Sequence, residues 1–203
     1  MPVLPLEKLV YGSDDGGRTV HSDDPTVNAT MRAAGDRLGL AEHGVAAAGA
    51  VAGTPPVPLS SAGDVEVHRG ADTRHYLLDL ARAFPAESPL DTPHLPRSGQ
   101  SVFFRLLRPE LLQIRRALRL PPLSPDALAG WGHVDRETFD QRARDATRHL
   151  VNDIIPAFAT HLSLPATPAL TEPVSEAVHS KGINIRYTHT VIVTPALDSS
   201  GSK

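Results

Sequence analysis

Reactive chemistry needs particular side chains at particular spacings, and the 203-residue chain is selective about which it carries. It has no cysteine, which removes disulfides, thiolate metal ligands and cysteine nucleophiles. Ten histidines invite a metal reading, because imidazole is a common nitrogen ligand. Their spacing does not support it. His68 and His75 fall on opposite arms of one hairpin, and His149 and His161 are too far apart to share neighbouring turns of a helix. Asp14 and Asp15 lack the ligand spacing of a calcium loop and read as turn acids. No Gly-x-Ser-x-Gly elbow is present to expose a serine nucleophile. Neither glycine-rich pattern that cradles phosphate occurs. No catalytic residue, no metal and no cofactor is expected.

Two groups of charged residues remain. Six arginines, Arg97, Arg105, Arg108, Arg115, Arg116 and Arg119, are interrupted by a single acid, Glu110. Lysine occurs only at positions 8, 181 and 203, so arginine supplies nearly all the positive charge. Guanidinium holds phosphate or carboxylate in two-point geometry, which makes 97–119 the candidate surface for RNA or another anion. The second group centres on Asp79, which follows the apolar Leu77-Leu78. An acid placed just after a buried strand needs a partner, so a pair between Asp79 and an arginine is expected, with Arg82 and Arg186 as neighbours in a scaffold or ligand pocket. The order Leu78-Asp79 then Arg108-Pro109-Glu110 also resembles two markers of protein kinases. The catalytic loop, glycine-rich loop and paired lysine that phosphoryl transfer requires are missing.

The elements that must position these groups can be read from local signals. Leu9 to His21 has a hairpin pattern around Asp-Asp-Gly-Gly. Asp24-Pro25 opens a helix whose stripe is Val27, Met31, Ala34 and Leu38, and Gly39 closes it. Residues 44–63, rich in Ala, Gly, Pro and Ser, read as a flexible connection. A second hairpin runs over Asp64–His68 and Arg74–Leu80. Its alternating first arm suggests an edge strand and its continuous apolar second arm a buried one. Residues 85–99 form a proline-rich loop. Short helices begin at Arg108-Pro109 and at Ser124-Pro125-Asp126. A long helix from Asp135 to Leu162 is interrupted by Pro156, predicting a kink near Ile155. A last helix covers Thr171–Lys181, followed by strands at Ile183–Tyr187 and Thr190–Thr194. The fold class is α+β, mainly helical with small antiparallel hairpins.

Six segments, taken in order, resemble the central domain of the clustered-mitochondria (CLU) family. They are Val10–His21, Asp64–Asp72, Tyr76–Pro85, Phe104–Leu111, Leu123–Ala127 and Gly182–Tyr187. Val67 and Thr73 stand where the family pattern has glycine, and Thr188-His189 replaces its usual Leu-Gly. The resemblance implies one CLU-like domain over residues 1–195, partial or stand-alone, with a disordered tail at 196–203. Eukaryotic members are cytosolic, affect mitochondrial distribution and associate with messenger RNA. The family supplies no catalytic residue to carry over.

The formal charge of −3 gives no general attraction to polyanions, and no apolar run approaches a membrane span. The expected protein is a cytoplasmic, non-catalytic binding module for RNA or a protein partner, without membrane insertion. The alternatives are an inactive kinase-like nucleotide-binding domain and an assembly module of a larger protein.

Overall fold

A computed structural model of the chain describes residues 4–92, 105–130, 134–163, 173–188 and 191. Strand β1 (Leu6–Gly12) ends where Gly12 takes a φ of +85°, and β2 (His21–Ser22) returns beside it with Tyr11 opposite Ser22. A Cβ on Gly12 would lie 2.0 Å from the Val65 carbonyl oxygen, so this bend tolerates no side chain. In the connecting loop the Asp15 carboxylate accepts from the Thr19 amide at 3.0 Å and from its hydroxyl at 2.8 Å, the work of a turn-holding acid.

Helix α1 (Pro25–Leu38) starts because Asp24 accepts from the amides of Thr26 and Val27, at 2.9 and 3.1 Å. It ends at Gly39, which is left-handed at φ +76°. Its inward face is Val27, Met31 and Gly35; Ala34 and Leu38 of the expected stripe are exposed. Residues 44–63 are not simply a flexible connection. They contain most of a hairpin of β3 (His43–Val45) and β4 (Val57–Leu59), with Val45 and Leu59 fully buried. Two or three residues per strand, set among alanine, glycine and proline, leave too short a pattern to read locally.

The second hairpin forms as β5 (Glu66–Gly70) and β6 (His75–Leu78), giving an antiparallel sheet of order β2-β1-β5-β6. The expected roles of its arms are exchanged. β5 is flanked on both sides and buries Val67, whereas β6 is the margin and leaves Leu77 47% exposed. Beyond it Leu80 is 54% exposed. Apolar continuity in a strand records what it can bury, and burial also needs a covering layer.

Helix α2 (Pro109–Ala117) begins at its proline. Ser124 caps a turn, not a helix: its hydroxyl accepts from the Asp126 amide at 3.2 Å, and only turns follow. Helix α3 (Arg136–His149) passes through a π turn at Leu150–Ile154 into α4 (Ile155–Ser163). The expected interruption at Pro156 takes this form: the proline has no amide to donate, and the Ile155 amide reaches five residues back to Leu150. Helix α5 (Val174–Ser180) follows Pro173. The strand expected at 183–187 is instead a 3₁₀ turn at Ile185–Tyr187, because Asn184 accepts locally from the Arg186 amide and Tyr187 is drawn into the core. Of the strand expected at 190–194, only Val191 lies within the described residues, as does none of the 196–203 tail.

Two main apolar clusters result. Val10, Tyr11, Val27, Val45, Leu59 and Val67 pack between sheet, α1 and the small hairpin. Leu107, Leu111, Leu112, Leu150, Ile155, Val178 and Ile183 pack among the later helices. Leu40 joins the second cluster and bridges in parallel to Leu123, so the end of α1 is seated on the helical part. Helices and antiparallel sheets share one chain, an α+β architecture. Among the described residues no helix is long and apolar enough to cross a membrane.

Candidate anion-binding site

Helix α2 turns Leu111, Leu112 and Arg115 inward, so an arginine occupies the last inward position of an otherwise apolar face. The helix then closes on itself. The Arg119 amide donates to the Arg116 carbonyl and the Leu120 amide to the Arg115 carbonyl, both at 3.0 Å. These two bonds form a Schellman closure, whose left-handed residue is usually glycine. Here it is Arg119, at φ +55°. Pro121 and Pro122 prevent any continuation. The end of α1 lies alongside, tied by the Gln113 side-chain amide donating to the Arg37 carbonyl at 2.7 Å.

Between these two helix ends is a cavity of about 370 Å³. Arg115, Arg116 and Arg119 line it on one side, Leu40, Leu112, Leu120, Pro121 and Pro122 give it an apolar wall, and Asp36 brings one carboxylate. Arg115 is 8% exposed, and its Nη2 donates to the Pro121 carbonyl at 3.3 Å. Its buried Nε has no hydrogen-bond partner. Burial pushes the guanidinium pKa down, opposed by the charge of Asp145.

The six arginines therefore do not form one surface. Arg105 is buried, with Nη1 at 3.5 Å from the Thr92 hydroxyl and its Nε and Nη2 without partners. Arg108 spends both arms on Glu110, at 2.8 and 2.7 Å. Arg97 lies outside the described residues. Arg186 reaches the Leu106 carbonyl at 3.4 Å and the Glu87 carboxylate at 3.9 Å.

Asp79 is exposed at φ +50° and enters no ion pair among the described residues. The buried Arg82 is taken by other acids, Asp64 at 2.6 Å and Asp126 at 3.4 Å. Because β6 is the sheet margin, the chain leaving it at Asp79 stays in water, and no buried counter-charge is required there.

Two buried polar networks carry no local sequence signal. In one, Asp126 meets His43 Nε2 at 2.9 Å and accepts from the Gly63 amide, while His43 Nδ1 lies 3.3 Å from the Ala41 carbonyl. Both side chains are fully buried, so the imidazole is a structural post rather than an accessible base. In the other, the Tyr187 hydroxyl donates to Glu87 at 2.8 Å. Burial raises the pKa of Glu87 despite the neighbouring Arg186 and Arg105, and burial beside Glu87 raises that of Tyr187 as well. Among the described residues no three histidine or acidic side chains come together in a way that would hold a metal ion.

This geometry defines a module with a cationic cavity and sealed polar struts. Residues 4–89 match the family model described as clustered mitochondria (CLU). The curated relatives include Protein clueless of Drosophila willistoni and of Drosophila virilis, each 38% identical over 81 residues, or 40% of this chain. The chain covers 5% of the length of each. No solved structure matches it. The CLU likeness read from the sequence thus holds over residues 4–89, which carry all three hairpins and α1. The segments Phe104–Leu111, Leu123–Ala127 and Gly182–Tyr187 lie beyond the matched residues, as does the arginine-lined side of the cavity.

Proposed function

We propose that the protein is a non-catalytic, cytoplasmic binding module that docks RNA through the arginines at the end of α2, within one CLU-like domain spanning residues 1–195. The observation that carries this reading is the cavity lined by Arg115, Arg116 and Arg119, none of which has an ion-pair partner among the described residues. Guanidinium in that state is suited to phosphate, and phosphate contacts make affinity depend on salt. The likeness to the clustered-mitochondria family supports a place for the module in the distribution of mitochondria. Filter binding of single-stranded RNA provides the test. Affinity should fall as salt rises from roughly 50 to 200 mM. Changing both Arg115 and Arg116 to Glu should abolish the retained RNA, and unchanged retention would remove this surface from consideration.

A second reading, an assembly module of a longer protein, is favoured by the sheet margin. There β6 leaves Leu77 47% exposed, with Leu80 54% exposed just beyond it. Light scattering decides it: a monomer at all concentrations, with Leu77 and Leu80 freely replaced by Thr, speaks against assembly through this edge.

A further inference from the structure

Resting on the RNA reading, we propose that the cavity between the ends of α1 and α2 seats one phosphodiester-linked nucleotide of a single strand. Its phosphate meets Arg115, Arg116 and Arg119, and its base lies on Leu120, Pro121 and Pro122.

The charge balance selects the ligand. Three guanidiniums line the cavity, opposed by Asp36 and by the carbonyl ends of two helices. Each helix end counts for about half a negative charge, leaving roughly one net positive charge. A phosphodiester carries one negative charge and matches it; a terminal phosphate with two does not. The apolar wall matters equally, because a bare inorganic anion gains nothing from leucine and proline. A volume of about 370 Å³ is that of a small-ligand pocket, far from the extended groove a duplex would need.

A purely structural role explains these arginines poorly. One scaffold arginine of the same molecule, Arg82, 7% exposed, receives two aspartates. Arg115, 8% exposed, receives one carbonyl and keeps a buried Nε without a partner. Arg119 holds a left-handed conformation that glycine adopts freely, as Gly39 does at the corresponding end of α1. An arginine there is strained.

That contrast supplies a test of opposite signs. The full chain is titrated into a labelled RNA of about ten nucleotides, followed by anisotropy, with melting temperature measured in parallel. Arg119→Gly should raise the melting temperature while weakening RNA about tenfold. Arg116→Gln should weaken RNA and reduce the salt slope. Asp36→Asn should tighten it several-fold. A diribonucleoside monophosphate should compete, whereas inorganic phosphate and polyglutamate should not. RNA binding that persists unchanged in Arg119→Gly and Arg116→Gln would overturn the cavity assignment and leave the RNA reading standing on another surface. Competition by polyglutamate as strong as by the dinucleotide would overturn it in favour of an acidic protein partner. No binding of RNA by the unaltered chain would overturn both.

Discussion

His43 and Asp126, 83 residues apart in sequence, meet at 2.9 Å with neither side chain reached by solvent. The same carboxylate accepts from the Gly63 amide and pairs with Arg82, which also holds Asp64. One acid thereby pins the start of the β3–β4 hairpin, the turn leading toward β5 and the loop beyond α2.

Asp126→Ala should therefore cost about 2–4 kcal/mol, because it leaves the buried His43 imidazole and the Gly63 amide without their acceptor, while Arg82 keeps Asp64. Urea denaturation followed by circular dichroism measures this. A loss below about 1 kcal/mol would mean the network is dispensable.

Glu87 makes a prediction about pH. Burial lifts its carboxyl above the ordinary value of 4.5, so the folded chain binds that proton more tightly than the unfolded chain does. Its contribution to stability is then complete below the ordinary glutamate pKa and is lost as pH rises toward the raised one. Replacing Glu87 with Gln should remove the fall in stability that sets in as pH rises above the ordinary glutamate value. Superimposable curves for the two proteins would show that the carboxyl is not held in this way.

Asp15 behaves in the opposite sense. The Thr19 amide and hydroxyl hold its carboxyl at about 2, below the ordinary 3.8. Stability from this loop is present above the ordinary value and disappears as pH falls toward the depressed one. A carbon-detected NMR titration of the Asp15 carboxyl should show the low midpoint, and Thr19→Val should move it up toward the ordinary value.

Two glycines in the first hairpin separate strain from collision. Gly16 is left-handed at φ +71° with nothing within 4 Å of where a methyl would sit, whereas a methyl on Gly12 meets the Val65 carbonyl at 2.0 Å. Gly16→Ala should cost about 1 kcal/mol, and Gly12→Ala at least about twice that. Equal melting temperatures for the two variants would contradict the packing of β1 on Val65.

Local chemistry was legible in the sequence. The Asp24 cap, the Gly39 stop, the hairpins around Asp14–Gly17 and Gly70–Thr73 and the break at Pro156 each depend on residues within a few positions of one another. The CLU likeness over residues 4–89 was legible for a related reason, since its blocks are contiguous runs built around such turns. Tertiary structure alone decided the rest. Arg105, Arg108 and Arg115 look alike along the chain, yet one is buried, one grips Glu110 and one lines a cavity. Arg82 found Asp64 and Asp126 rather than Asp79, and Tyr187 found Glu87 from 100 residues away. A charged side chain's surroundings are set by whichever elements cover it, and that covering is the sum of many distant contacts that no short window of residues contains.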